Sequence, residues 1–139
     1  MSAAATKVSL TPARIIALLA PPLLVMAAIF VLSAQTSSGD HGFFDLLLRK
    51  LGHVTEYAVL TFLWWRALRG LRVVEDNRTA IAVAVGIAFA YAISDEFHQT
   101  FVEGRHGTPV DILIDSTGMA LAALYARRRT LGPSRPSAA

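Results

Sequence analysis

The chain has 139 residues, of which 54% are hydrophobic and only 17% are charged, and its formal net charge is +3. Soluble domains carry about 25% charged residues and disordered chains are more polar still, so this composition excludes a disordered chain and disfavours a soluble domain. Cysteine is absent, which excludes disulfide frameworks, thiolate zinc sites and cysteine nucleophiles, and the length allows one compact unit.

Four apolar stretches follow one another along the chain, at about 13–33, 51–68, 79–97 and 110–126. A membrane-spanning helix needs about 20 mostly apolar residues, and a proline pair such as Pro21-Pro22 is tolerated in a membrane helix. Trp64 and Trp65 fit an aromatic belt at a membrane interface. Buried core helices of a soluble protein are disfavoured, because too little polar sequence remains to cover them. We predict an all-α polytopic membrane protein with four transmembrane helices in a bundle.

Glycine, serine, proline and acidic residues mark the connections between these stretches, at 36–40, 69–78 and 103–109. The predicted organisation is a cytoplasmic N-terminal segment over 1–12, a four-helix transmembrane domain over 13–126 and a basic, disordered cytoplasmic tail over 127–139.

The basic residues set the predicted orientation. With four spans, three of the thirteen lie on one side, namely Arg49, Lys50 and Arg105, and the other ten lie on the opposite side. The positive-inside rule then places both termini in the cytoplasm. We therefore attribute the basic character to membrane topology and expect no nucleic-acid partner.

A cleaved signal peptide is the alternative interpretation of the first stretch, which has a basic start and Leu32-Ser33-Ala34 before Gln35. Cleavage would leave three spans and would not change the sidedness of the rest.

Polar residues gather at the predicted extracytoplasmic face. They are six carboxylates, three histidines, one lysine and one arginine: Glu56, Asp95, Glu96, Glu103, Asp111, Asp115, His53, His98, His106, Lys50 and Arg105. A charge facing lipid at the centre of a membrane helix costs about 2.5–3.5 kcal/mol on insertion scales, so such groups face the bundle interior or a wet cavity.

Helical periodicity sorts these residues into three stripes. The stripes are Lys50, His53 and Tyr57 with Glu56 at the margin; Tyr91, Asp95, His98 and Gln99 with Glu96 to the side; and Asp111, Asp115 and Gly118. We expect the three helices to aim the stripes into one polar pocket. Simpler roles remain open: Arg49 and Lys50 as interfacial anchors, Asp111 as a helix-dipole partner, and Glu103 and His106 as solvated loop residues.

The same residues resemble the motifs of the VanZ-like family of small bacterial membrane proteins. The matching motifs are 50–57 (KLGHVTEY), 94–99 (SDEFHQ), 101–105 (FVEGR) and 111–118 (DILIDSTG). They fall within about residues 33–125, and Asp115 stands where asparagine is expected at least as often. The resemblance implies a four-helix membrane protein with a cell-envelope role, and the founding member is associated with resistance to the glycopeptide antibiotic teicoplanin.

The chemistry of the pocket stays open among four alternatives. The first is an active site on an outer-leaflet lipid or lipid-linked cell-wall precursor. The predicted catalytic residues of this site are Glu56, Asp95, Glu96 and His98. The predicted phosphate- or substrate-binding residues are Lys50, Arg105, Gln99 and Tyr57. The predicted ligands for a divalent metal are His53, Asp111 and Asp115. The others are a binding module without chemistry, a structural polar network, and an ion pathway.

Overall fold

The structure, a computed structural model, describes residues 10–35, 42–105 and 107–130, and over these it contains four α-helices and no strand. The helices are α1 (Pro12–Ser33), α2 (Phe43–Gly70), α3 (Asn77–Gln99) and α4 (Pro109–Thr130). The all-α prediction is confirmed. The predicted loop at 36–40 and most of the predicted end segments, 1–9 and 131–139, lie outside the described residues, while 127–130 continue α4.

Capping residues explain where α1 and α3 begin. Thr11 precedes Pro12 at the start of α1, and its hydroxyl accepts from the Arg14 amide at 3.4 Å. Asp76 caps α3 by accepting from the amide and the hydroxyl of Thr79, both at 2.8 Å, and these bonds hold the pKa of Asp76 below its usual value.

The second helix is longer than the apolar pattern predicts. It begins at Phe43, not at residue 51, and its 28 residues span about 42 Å, which exceeds the hydrocarbon core of roughly 30 Å. The predicted start was wrong because Arg49 and Lys50 interrupt the apolar run without interrupting the helix. Lys50 is paired with Asp111 on α4, so its charge is accommodated within the bundle.

The helices carry a membrane-compatible surface. Within the described ranges, α1, α3 and the Pro109–Arg129 part of α4 are long and apolar enough to cross a membrane. Large apolar side chains such as Leu24, Phe44 and Leu113 are 68–75% exposed, a pattern suited to contact with lipid. The second helix falls short on composition because it carries residues such as His53 and Glu56.

Small residues let the helices approach closely. Four fully buried alanines recur at every fourth residue of α3, and we name them the alanine stripe: Ala80, Ala84, Ala88 and Ala92. They contribute to the two core clusters, which also contain α2 residues. Between α2 and α4, a Cβ atom on Gly118 would stand 2.1 Å from the Val54 carbonyl oxygen. Such close approaches are how membrane helices gain packing energy.

Candidate functional site

The predicted polar residues gather at the end of the bundle where α1 and α3 finish and α2 and α4 begin, here named the polar end. Asp95, Glu96, Gln99 and Asp115 are each at most 5% exposed there. Buried polar groups of this kind need partners, and the structure supplies two distinct sets of them.

The first set joins α2, α3 and α4, and we name His53, Glu96 and Asp115 the carboxylate–histidine cluster. His53 Nδ1 lies 3.1 Å from Asp115 Oδ1, and one ligand atom from each of the three side chains lies within 4.8 Å of the others. Thr108, in the loop before α4, donates its backbone amide to Glu96 Oε2 at 2.9 Å. Sequence periodicity placed Glu96 beside the main stripe of α3, whereas the structure places it inside this cluster.

The second set joins α1 to α3. Asp95 accepts from the Ser33 hydroxyl through Oδ1 and from the Gln99 amide through Oδ2, the latter at 3.0 Å. Tyr91 donates its hydroxyl to the Met26 carbonyl at 2.5 Å, one turn further into the bundle. Sequence reasoning missed the contribution of Ser33, whose only signal is its place at the end of α1, four residues after the buried Ile29.

A cavity of about 200 Å³ lies between α1, α2, the end of α3 and the loop after it. Its polar lining residues are Ser33, Gln35, Arg49, His53, Glu56, Asp95 and Arg105. His53 therefore faces the cavity and also belongs to the carboxylate–histidine cluster. Of the predicted catalytic residues, Glu56 and Asp95 line the cavity.

Arg105 ties the loop after α3 to the end of α1. Its Nε and Nη2 groups donate to the carbonyls of Gln35 and Leu32, each at 3.0 Å, where the last carbonyls of a helix lack internal partners. Burial, with a further contribution from nearby Arg49, lowers the pKa of the Arg105 guanidinium. Arginine remains protonated all the same, so a positive charge is held at the cavity wall.

Several predicted site residues belong neither to the cavity lining nor to the carboxylate–histidine cluster. Lys50 forms an ion pair with Asp111, so the structure brings Glu96, and not Asp111, to His53 and Asp115. His98 stacks on Phe30 with ring centroids 4.4 Å apart. Tyr57 is fully buried, and its hydroxyl has no hydrogen-bond partner in the part of the chain that the structure describes. Glu103 is exposed, and His106 lies outside the described residues.

Comparison with known proteins supports the resemblance carried by the motifs. The VanZ/LLP1 family profile matches residues 2–130, nearly the whole chain. An uncharacterized membrane protein of Bacillus subtilis (strain 168), YwnJ, is 32% identical over 77 residues, which are 55% of this chain and 47% of that protein. The match thus spans about half of the length of this relative. No solved structure matches. The predicted family is confirmed, and the chain belongs to the VanZ/LLP1 family of membrane proteins.

Proposed function

We propose that the protein binds the phosphate-bearing headgroup of an outer-leaflet lipid, or of a lipid-linked envelope precursor, in the cavity at the polar end. The observation that carries this proposal is the presence of Arg105 and Arg49 in the lining of one cavity that α1 and α2 flank. Guanidinium groups bind phosphate through paired N–H donors. The Leu32 and Gln35 carbonyls use two of the five N–H groups of Arg105.

The size of the cavity limits what it can accept. Sites for drug-sized molecules usually enclose about 300–1,000 Å³, and this cavity encloses about 200 Å³. A headgroup fits this space with its acyl or prenyl chains left in the bilayer, whereas a whole glycopeptide does not. A link to teicoplanin resistance would therefore act through the envelope lipid and not through capture of the antibiotic.

The proposed topology has four spans with both termini in the cytoplasm. The four helices alternate in direction, and α2 packs against α1, α3 and α4 with His53 and Glu56 only partly exposed, which supports its crossing despite its polar residues. The positions of Arg66, Arg69 and Arg78, at the end opposite the polar end, agree with the positive-inside rule. The contacts of Ser33, Leu32 and Gln35 with α3 and its following loop favour retention of α1 over its removal as a signal peptide.

Single-cysteine labelling tests this topology, because the natural chain contains no cysteine. We expect a membrane-impermeant maleimide to label Glu103→Cys in intact cells, since Glu103 is exposed in the loop at the polar end. The matched variant Glu75→Cys, exposed in the turn between α2 and α3, should be labelled only after the cells are permeabilised. The opposite pattern would place the cavity in the cytoplasm and overturn an outer-leaflet ligand.

Substitution of Arg105 tests the headgroup proposal. We expect Arg105→Gln to lower retention of phosphatidylglycerol or a polyprenyl diphosphate by roughly tenfold, corresponding to about 1.4 kcal/mol of a charge-assisted contact. Arg105→Lys should show an intermediate loss because lysine keeps the charge but not the fork. Native mass spectrometry of the protein released from detergent micelles measures the lipid-bound fraction.

The control for this experiment is Arg128→Gln, which removes an exposed arginine from the far end of α4. It should leave lipid retention unchanged. Equal retention by the wild type, Arg105→Gln and Arg128→Gln, with all three folded, would contradict the proposal and favour a structural role for the polar end. Because Arg105 also caps α1, the melting temperature of each variant is measured alongside.

Chemistry on the bound headgroup is a second proposal, and the position of Glu56 favours it. Glu56 lines the same cavity as the two arginines, where a carboxyl group can exchange a proton with a bound substrate. The catalytic roles of Asp95, Glu96 and His98 stay predictions. Asp95 accepts hydrogen bonds from Ser33 and Gln99, and Glu96 accepts one from the Thr108 amide.

A further inference from the structure

We infer that His53, Glu96 and Asp115 form a binding site for one divalent transition-metal ion within the bundle. The three side chains come from three different helices, and their ligand atoms lie within 4.8 Å of one another. This site differs from the ligand set predicted from sequence in that Glu96 takes the place of Asp111. The inference does not rest on headgroup binding.

Unpartnered oxygen atoms point to a ligand. Asp115 is fully buried and Glu96 is 5% exposed, yet Asp115 Oδ2 and Glu96 Oε1 have no hydrogen-bond partner among the described residues. Each carboxylate has one oxygen already engaged, Asp115 Oδ1 by His53 and Glu96 Oε2 by the Thr108 amide. One oxygen of each is therefore left available for coordination, at a depth where an unsatisfied polar atom costs free energy.

The negative charge of the two carboxylates in the cluster also favours a bound cation. Two buried carboxylates so close together repel each other strongly, and a protonated His53 would balance only one of them. The lysine at this end of the bundle is paired with Asp111 instead. One divalent cation with neutral His53 would bring the three groups to electrical neutrality.

The donor set indicates the kind of metal. Carboxylates suit Mg²⁺, Ca²⁺ or Mn²⁺, while an imidazole ligand brings Zn²⁺ and Fe²⁺ into range. Three protein ligands leave a coordination position open, as in catalytic zinc sites. His53 also lines the cavity, so the proposed metal site adjoins the proposed headgroup site through this residue.

The loop before α4 orients one of the ligands. The Thr108 amide donates a hydrogen bond that fixes the Glu96 side chain. Gly107 packs so closely against Glu96 that a Cβ atom added at residue 107 would stand 2.1 Å from the Glu96 carbonyl oxygen. Hydrogen bonds of this kind position ligands and commonly change metal affinity by about 10- to 100-fold.

Metal binding by the purified full-length protein in detergent tests the inference. After removal of metal with a chelator, we expect Zn²⁺ or Mn²⁺ to bind at one ion per chain, to raise the melting temperature, and to bind more tightly than Mg²⁺. Glu96→Gln and Asp115→Asn should each weaken binding by more than about 100-fold, since they remove direct ligands. Glu103→Gln is the control, an exposed carboxylate at the same end outside the cluster, and should bind like the wild type.

A second measurement uses the wild-type protein, so it tests the inference even if the variants fail to fold. Co²⁺ bound to wild-type protein should give visible absorption bands that Zn²⁺ removes. Absence of these bands, together with no bound ion and no thermal shift, would overturn the inference and leave His53–Asp115 as an ion pair. Equal binding by the wild type and both cluster variants would overturn it as well. Unchanged metal binding by Arg105→Gln would keep this result separate from the headgroup proposal.

Discussion

Replacing Gly118 with alanine is expected to separate α2 from α4 and to leave little folded protein. The added Cβ atom would stand 2.1 Å from the Val54 carbonyl oxygen and 2.9 Å from the Ala58 amide nitrogen, so backbone atoms of α2 would have to move. Overpacking of a core usually costs about 1–3 kcal/mol, and we expect the upper end because no flexible side chain can yield. Size-exclusion chromatography after heating in detergent measures the melting temperature and the remaining monodisperse protein.

The matched control is Gly86→Ala, on α3, where a Cβ atom would meet nothing within 4 Å. This variant should melt at or slightly above the wild-type temperature, since alanine favours a helix over glycine by about 0.5–1 kcal/mol. A Gly118→Ala protein as stable as the control would contradict the close contact between α2 and α4.

Replacing Gly107 with alanine is expected to displace the loop before α4 from the end of α3. Its Cβ atom would lie 2.1 Å from the Glu96 carbonyl oxygen and 3.2 Å from Glu96 Oε2. Moving the loop breaks the hydrogen bond from the Thr108 amide, so we expect metal affinity to fall by about 10- to 100-fold and stability by about 1–3 kcal/mol. Metal titration and thermal melting of the same sample measure the two effects.

Gly52→Ala serves as the control because Gly52 lies at the same end of the bundle with open space at its Cβ position. It should bind metal like the wild type. A Gly107→Ala protein that kept both its metal affinity and its melting temperature would show that this loop does not position Glu96.

The fold class and family were accessible from the sequence because they depend on local signals. Apolar runs revealed the four helices, and the motif residues identified the family. The start of α2 was missed because the charges of Arg49 and Lys50 resemble a helix boundary when their partners are unknown. Only the packed structure shows that Asp111 on α4 neutralises Lys50.

The candidate site was predictable in part because helical periodicity is also a local signal. The stripes on α2 and α4 brought His53 and Asp115 together, because α2 and α4 pack directly against each other. The third helix contacts α1 as well as α2 and α4. Asp95 and Glu96, which are neighbours in sequence, are therefore both buried but face different partners, Ser33 and the carboxylate–histidine cluster. Periodicity places Asp95 and Glu96 on different sides of α3 but does not indicate which helix each side contacts.

The alanine stripe of α3 limits how this protein can evolve. Ala80, Ala84, Ala88 and Ala92 are fully buried, so a larger side chain at any of them would force α3 away from its neighbours. Mutational drift should therefore be confined at these four positions to residues as small as glycine, alanine or serine. The exposed apolar residues between them, such as Val83 and Phe89, can exchange among apolar types without altering the geometry of the bundle.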